Sequence, residues 1–268
     1  MNALVFGAAG QLGSELVKLL GPDSAVSHLE LDITNNRDVR SLIEGRRPEV
    51  VFNCAAYNAV DGAESDPTTA FAVNANGMRY LGAACRSQAT VLVHFSTNFV
   101  FSGEHDEPYI EADEPSPISV YGRSKLEGER FALESGAQVL VMRTAAVYGG
   151  PRSFPKRILE RARAGEPLRV VADQRVNPTY AKDLAAAAVR LAEEGAAGIV
   201  HAVAEGCCSW DDFARAAIVE AGVDAAVLSV PTDAYPTPAR RPKNGCLAST
   251  RIAPLRPWRE ALHEALNP

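Results

Sequence analysis

The sequence predicts an α/β fold, in which a doubly wound parallel sheet carries a smaller C-terminal lobe. Short apolar runs alternate with helical patterns through about residue 150. These runs are apolar on both faces, as expected for parallel strands that helices cover on both sides. A glycine-rich turn also follows the first run and opens the first helix. Together these observations predict a Rossmann-type sheet.

The strands and helices of this sheet follow from hydrophobic patterning. We predict strands at 3–6, 50–56, 90–96 and 138–143, where valine, leucine and phenylalanine dominate. The first helix places Leu12, Leu16, Leu19 and Leu20 on one face. Further helices are predicted before Pro48, at 70–87 and at 119–135.

The pattern changes after residue 150. Helices are predicted at 154–164, 182–192 and 211–221, separated by segments rich in proline and glycine. The segment 231–242 contains four prolines, so we expect it to be largely irregular. We therefore divide the chain into a dinucleotide-binding Rossmann domain at 1–150 and a mainly substrate-binding lobe at 151–268, some segments of which return to the sheet.

Composition and charge indicate which kinds of binding partner are not expected. The chain has 268 residues, 47% of them apolar, and a net charge of −6. This mildly acidic balance, without a long basic run, argues against nucleic acid and anionic membranes as partners. No apolar run approaches the ~18–20 residues of a membrane span, and residue 1 leads directly into a strand. We expect a cytoplasmic protein.

The cysteines and histidines indicate neither a metal site nor a disulfide framework. The five cysteines contain no CxxC motif, and Cys207 and Cys208 are adjacent, a poor geometry for a mutual disulfide. We expect all five to be reduced thiols. The five histidines are scattered, so no metal ligand set is predicted.

The turn with Gly7, Gly10 and Gly13 predicts a dinucleotide site. A helix N-terminus presents unpaired N–H groups, and glycines let the backbone approach a pyrophosphate there. The second strand ends near Ser27 and His28 without a carboxylate to hold the ribose 2′-hydroxyl of NAD. We therefore predict NADP as the preferred cofactor and NAD as the alternative. Asp32 and Ile33 suit the adenine ring better than the ribose.

Tyr121 and Lys125 share a helix face at i and i+4 spacing. A free phenol has a pKa of about 10, and we expect the Lys125 ammonium to lower it. The phenol can then exchange a proton with a carbonyl or alcohol oxygen. Thr97 ends the preceding strand in a hydroxyl group suited to bind the same oxygen. These three residues are the candidate catalytic group.

The chain resembles the extended short-chain dehydrogenases/reductases, and within them the dTDP-4-dehydrorhamnose reductase family. The resemblance covers nearly the whole chain in ordered blocks. The blocks are GAAGQLG at 7–13, LDIT at 31–34, NCAAYNAVDGAES at 53–65, VNANG at 73–77, STNFVFSG at 96–103, SPISVYGRSKLEGE at 116–129, RTAAVYG at 143–149, VVADQRVNPTYAKDLA at 170–185 and YPTPARRPKNGCL at 235–247.

The resemblance implies NAD(P)H-dependent reduction of the 4-keto group of a nucleotide-linked 6-deoxyhexose. Tyr121 would donate the proton, Thr97 would polarise the carbonyl, and Lys125 would bind the nicotinamide ribose. The implied cofactor contacts are Gly7, Gly10, Gln11, Leu12, Ser27, His28, Asp32, Ile33, Ala55, Ala56, Tyr57, Asn74 and Ser96, with Tyr121 and Lys125. The implied substrate contacts are Val60, Thr97, Asn98, Phe99, Ala146, Arg241 and Asn244. Some family members form homodimers, so a homodimer is a further expectation.

The chain departs from the family pattern mainly on the substrate side. Asn98-Phe99 replaces the usual Asp-Tyr, and Ala146 replaces a tryptophan that packs against the sugar. Val176 replaces a glycine, and Gly245-Cys246 replaces Ser-Arg. Loss of the tryptophan ring implies a larger or differently shaped pocket. A different keto sugar nucleotide, such as one used in natural-product glycosylation, is therefore an alternative substrate.

An alternative from another class is a non-catalytic dinucleotide-binding subunit, because the regulatory subunit of methionine adenosyltransferase resembles the same family.

Two local features are expected to be structural. Ser209 should cap a helix that begins at Trp210, and Glu127 and Glu129 should form a solvated helix face beside Lys125.

Overall fold

The computed structural model describes residues 1–267, which form fourteen strands and ten α-helices. The strands are β1 Ala3–Phe6, β2 Ala25–Val26, β3 Val50–Asn53, β4 Val91–Thr97, β5 Val139–Thr144, β6 Val147–Tyr148, β7 Leu168–Val171, β8 Arg175–Val176, β9 Thr179–Tyr180, β10 Gly198–His201, β11 Ala204–Glu205, β12 Cys208–Ser209, β13 Val227–Val230 and β14 Leu255–Pro257. The helices are α1 Gln11–Leu20, α2 Asn36–Arg46, α3 Val60–Ser65, α4 Pro67–Phe71, α5 Gly77–Ser87, α6 Val120–Glu134, α7 Phe154–Arg163, α8 Ala181–Glu193, α9 Trp210–Glu220 and α10 Trp258–Leu266. None of these helices is long and apolar enough to cross a membrane.

Six parallel strands form the central sheet in the order β10-β5-β4-β3-β1-β2. The chain leaves β1 toward β2 on one side and later returns to β3 on the other. The β1/β3 boundary is therefore the topological switch point, where ligands bind in open α/β sheets. The predicted doubly wound parallel sheet is confirmed, and β10 from the C-terminal half completes one edge.

Apolar cores lie on both faces of the sheet. One core joins the sheet to α1 and α8 through residues such as Leu12, Leu16 and Leu184. The other joins it to α2, α5 and α6 through residues such as Ile43 and Met78. These two layers hold the carboxyl ends of the strands in fixed positions, and the functional side chains follow directly from those ends.

The second half builds a smaller lobe from α7, α9, α10 and the paired strands β7 and β13. Phe213 is fully buried and packs against Phe154 and Trp258. Ser209 caps α9, because its side chain accepts the N–H of Asp212 in a capping box. The segment 231–242 contains one short 3₁₀ turn and is otherwise irregular, as predicted.

The helix predicted at 70–87 contains an irregularity. α4 and α5 are joined by a π-helical segment, Ala72–Asn76. Such bulges are rare and are found mostly at functional sites. Here the bulge contains Asn74, which is buried and binds the backbone of Tyr57 through both its amide oxygen and its amide nitrogen.

The expectation that all five cysteines are reduced is wrong for two of them. A disulfide joins Cys207 and Cys246, whose Cα atoms are 6.1 Å apart. Cys54, Cys85 and Cys208 are free thiols. The two bonded cysteines lie 39 positions apart, and the sequence shows no local sign that the fold brings them together. The disulfide links the turn before β12 to the segment that follows the proline-rich stretch.

Removing this disulfide is expected to lower the free energy of unfolding. The bridge closes a loop of 39 positions, for which chain entropy gives a stabilisation of about 2–4 kcal/mol. Cys207 is only half-buried, so Cys207→Ser should fit its site. Urea unfolding without reductant should show the loss, and adding reductant should destabilise the wild type but not the variant. Equal stability of the wild type with and without reductant would contradict a stabilising disulfide.

Candidate active site

A cavity of about 540 Å³ opens at the switch point, above the carboxyl ends of β1, β3, β4 and β5. Fourteen of the site residues predicted from the sequence line it: Gly10, Gln11, Leu12, Ala55, Ala56, Val60, Ser96, Thr97, Asn98, Phe99, Tyr121, Lys125, Ala146 and Arg241. The fold thus brings the glycine-rich turn, the hydroxyl-bearing strand end and the tyrosine-lysine helix to one place.

The glycine-rich turn is shaped for close backbone approach. Gly7 has a φ of +74°, and a Cβ there would lie 2.6 Å from the backbone nitrogen of Ala55. Helix α1 then begins after Gly10 without a side-chain cap. Its first N–H groups and the positive end of its dipole are therefore available to an anion. This arrangement fits a dinucleotide pyrophosphate.

The predicted adenosine contacts lie outside this cavity. Ser27 and His28 directly follow β2, as expected. The Glu30 carboxylate, however, accepts the Ser27 N–H at 2.7 Å and so brings a negative charge to this turn. Asp32 accepts the N–H and the hydroxyl of Thr34, and Ile33 is buried in the core.

Tyr121 is 8% exposed, and its ring packs against that of Phe99 in a T-shaped arrangement. Its hydroxyl donates a 3.4 Å hydrogen bond to Asn58 Oδ1. Burial raises the pKa of Tyr121 to about 12, and hydrogen bonding with Thr97 opposes the rise. The phenol is therefore protonated near neutral pH and suited to donate a proton.

Lys125 lines the cavity and is 2% exposed. Its Nζ donates to the Phe95 carbonyl oxygen at 2.7 Å and lies 3.3 Å from His94 Nε2. Burial lowers the pKa of Lys125 to about 8, against the opposing charge of Glu129. The expectation that Lys125 lowers the pKa of Tyr121 is wrong for this structure, because the amino group binds β4 and burial of the phenol dominates.

The expected solvated helix face beside Lys125 is also wrong for Glu129. Glu129 is 2% exposed and forms a two-point ion pair with buried Arg143, with Nη2–Oε2 at 2.7 Å and Nε–Oε1 at 3.0 Å. The Ser96 hydroxyl donates to the same carboxylate. Glu127 is partly exposed and pairs with Arg130 at the surface. Ser96 thus lines the cavity while its hydroxyl is engaged behind it.

Two predicted contact residues act as supports. Asn74 holds the segment after β3 through Tyr57 and also donates to the Ser124 hydroxyl at 2.9 Å. Asn244 directs its amide nitrogen toward the carbonyl oxygens of residues 105–107. The Asn244 side chain is therefore committed to backbone groups, and the Asn74 side chain to the Tyr57 backbone and the Ser124 hydroxyl.

A second cavity of about 360 Å³ adjoins the first and shares Phe99, Val176 and Arg241 with it. Arg157 and Trp210 also line both cavities, although neither was expected at the site. Arg241 forms an ion pair with Asp61 at 2.8 Å, which joins the proline-rich loop to α3. This hydrogen bond from Arg241 is also the main reason that the pKa of Asp61 is lowered.

Four residues of the site were not among those predicted from the sequence: Asn53, Asn58, Asp61 and His94. The first three lie in the block at 53–65, whose resemblance gave no role for them, and His94 lies outside every block. Ala146 has a φ of +43°, an uncommon conformation for alanine, and lines the cavity between β5 and β6. The resemblance implies a tryptophan at this position, where this chain has only a methyl group.

Comparison with known proteins gives full-length matches. A dTDP-4-dehydrorhamnose reductase from Aggregatibacter actinomycetemcomitans is 39% identical, with 93% of this chain and 91% of that protein covered. A probable dTDP-4,6-dihydroxy-2-methyloxan-3-one 4-ketoreductase from Streptomyces antibioticus is 40% identical, with 99% and 94% covered. The structure of a Bacillus anthracis dTDP-4-dehydrorhamnose reductase in complex with NADP superposes with a TM-score of 0.95, at 33% identity over 99% and 98% of the two chains.

The family model described as the RmlD substrate binding domain matches residues 1–268. With that match and these relatives, the chain belongs to the RmlD substrate binding domain family.

Proposed function

We propose that this protein is an NAD(P)H-dependent reductase of the 4-keto group of a nucleotide-linked 6-deoxyhexose. One observation carries the proposal. Thr97, Tyr121 and Lys125 lie at one cavity beside a glycine-rich helix start, at the switch point of the sheet. Relatives named as dTDP-4-dehydrorhamnose reductases across the same length support the substrate class.

The protein's part in the reaction is proton donation and orientation. Tyr121 donates its phenolic proton to the carbonyl oxygen, and the Thr97 hydroxyl polarises the same oxygen. Burial that raises the pKa of Tyr121 to about 12 keeps the proton in place until the oxygen becomes basic. The dinucleotide, when bound, supplies the hydride. Lys125 would hold the ribose of the dinucleotide.

We assign the cofactor to the first 150 residues, and we assign residues 151–268 mainly to binding of the sugar nucleotide. Gly7, Gly10, Gln11 and Leu12 would hold the pyrophosphate at the start of α1. Ala55, Ala56 and Tyr57 would flank the nicotinamide half, supported by Asn74. Ser27 and His28 favour NADP, and so does the NADP complex of the Bacillus anthracis relative. The Glu30 carboxylate at the same turn favours NAD, so we expect NADPH to be preferred without excluding NADH.

A reductase of a different keto sugar nucleotide is a second candidate. Ala146 in place of a tryptophan favours it, and so does the Streptomyces antibioticus relative, whose name specifies another sugar. Val60, Asn98, Phe99 and Arg241 would contact the sugar nucleotide in either case. The regulatory-subunit alternative is not favoured, because these relatives are named as reductases. The cytoplasmic location and the homodimer remain predictions.

The test is oxidation of NADPH or NADH by the purified protein with dTDP-4-keto-6-deoxy-L-hexose, followed at 340 nm. A second arm uses the 2-deoxy analogue of that sugar nucleotide. Faster turnover of the first substrate supports a dTDP-4-dehydrorhamnose reductase, and faster turnover of the second supports the alternative. Tight NADPH binding with no oxidation by any 4-keto sugar nucleotide would overturn the proposed function.

A further inference from the structure

A chain of buried polar groups runs from β3 through β4 to α6, and its two ends, Asn53 and Lys125, line the cavity. Asn53 Nδ2 lies 3.3 Å from His94 Nδ1, and His94 Nε2 lies 3.3 Å from Lys125 Nζ. Asn53, His94 and Lys125 are each at most 2% exposed, so no bulk water competes for these contacts. A neutral imidazole has one N–H and one acceptor nitrogen, so its two contacts need opposite roles.

The orientation of Asn53 fixes one of those roles. Its Oδ1 accepts the backbone N–H of Ala55 at 3.1 Å, so its amide nitrogen is the group that faces His94. The same nitrogen also donates to Met78 Sδ. Asn53 therefore donates to His94 Nδ1, and the ring proton lies on Nε2. An Nε2–H group can bond to Lys125 only if Nζ offers a lone pair, that is, as a neutral amine.

An ammonium at Lys125 demands the opposite arrangement. An ammonium has no lone pair, so His94 Nε2 must accept a hydrogen bond from Nζ and the ring proton must lie on Nδ1. The Nδ1–H group and the N–H of Asn53 then face each other as two donors. Both hydrogen bonds, from Asn53 to His94 and from His94 to Lys125, therefore form together only when Lys125 is a neutral amine. Burial and the neighbouring Lys125 charge both lower the pKa of His94, so the ring itself stays neutral in either state.

We propose that His94 is a positioning residue whose ring tautomer is coupled to the protonation of Lys125, so that His94 sets the pH range in which Lys125 is an ammonium. The catalytic consequence rests on the proposed function, because only the ammonium has enough N–H groups to bind the Phe95 carbonyl oxygen and His94 and still donate to the cofactor ribose. The coupling itself is a property of the protein alone.

The other titratable groups around Lys125 are Glu129, Cys54 and Tyr121. Glu129 forms its ion pair with Arg143. Burial raises the pKa of the Cys54 thiol far above its ordinary value, and that of Tyr121 to about 12. Because the pKa of Lys125 is lowered to about 8, it is the member of this group that changes charge between pH 7 and 9.

The coupling is tested by ¹⁵N NMR of the histidine rings in the cofactor-free protein between pH 6 and 10. The His94 signals are assigned by their loss in His94→Gln. We expect an Nδ1–H tautomer at low pH that converts to Nε2–H as Lys125 loses its proton, and a permanent Nε2–H tautomer in Lys125→Met. A single wild-type tautomer across this range, or the same conversion in Lys125→Met, overturns the proposal.

The catalytic consequence is tested with His94→Gln. The glutamine amide can turn its oxygen to the ammonium without a tautomer constraint, so the charged form of Lys125 is favoured. The alkaline limb of kcat/KM should move upward by about one pH unit. His263→Gln is the control, because His263 pairs with Glu220 at the surface and should leave the profile unchanged.

The activity results separate this inference from the proposed function. An active wild type with the same alkaline limb in folded His94→Gln contradicts the role of His94. A wild type that reduces no keto sugar nucleotide but shows the tautomer conversion contradicts the proposed function and leaves the coupling intact.

Discussion

Tyr121→Phe is expected to lower kcat about 10²–10⁴-fold, the range typical of a lost general acid, with little change in NADPH affinity. The variant keeps the ring that packs against Phe99 and removes only the hydroxyl group. That hydroxyl makes a long hydrogen bond to Asn58 and interacts with Thr97, and neither partner is charged, so its loss should cost little stability. Steady-state NADPH oxidation and a fluorescence titration with NADPH measure the two quantities separately.

Tyr80→Phe is the matched control for this substitution. Tyr80 lies on α5, away from the residues that line the cavity, and should tolerate loss of its hydroxyl without a change in kcat. If Tyr121→Phe retained the turnover of the wild type and of Tyr80→Phe, the proton would come from another group. A loss seen only in NADPH affinity would likewise contradict the role given to the phenol.

The sheet and the position of the site could be predicted because local signals are strong there. Runs that are apolar on both faces predict buried parallel strands, and glycines before a helix predict an anion site. The predicted strand at 50–56 nevertheless ends at Asn53, because the next residues turn across the carboxyl edge toward the cavity. The π-helical segment at Asn74 has no local signal of this strength.

The remainder of the site depends on contacts between distant segments. Glu129 follows Lys125 by four positions and looks like an ordinary surface charge, yet its partner Arg143 comes from β5. His94 and Lys125 are 31 positions apart, and Asn98 reaches the carbonyl oxygen of Gly245 across 147 positions. Composition and periodicity contain no information on such pairings. They become visible only when the topology places β3, β4, β5 and α6 together.

Glu129→Ala is expected to destabilise the protein by about 3–5 kcal/mol, the cost of leaving one partner of a buried ion pair alone. Both side chains are 2% exposed, so Arg143 would keep a positive charge with no carboxylate or water to balance it. Its Nη1 already has no hydrogen-bond partner among the described residues, and the guanidinium carbon lies 5.2 Å from the Phe101 ring centre. Chemical denaturation of the two proteins measures the loss.

The double variant Glu129→Leu with Arg143→Met distinguishes charge from packing. It removes both charges while filling similar volume, so we expect it to recover most of the stability lost in Glu129→Ala. Equal losses in the single and the double variant would mean that the pair contributes through shape alone. The double variant should still lose activity, because the Ser96 hydroxyl beside Thr97 and the Lys125 ammonium both depend on the Glu129 carboxylate. If the double variant regains stability but not activity, the ion pair between Glu129 and Arg143 is needed to position the groups of the proton-transfer site.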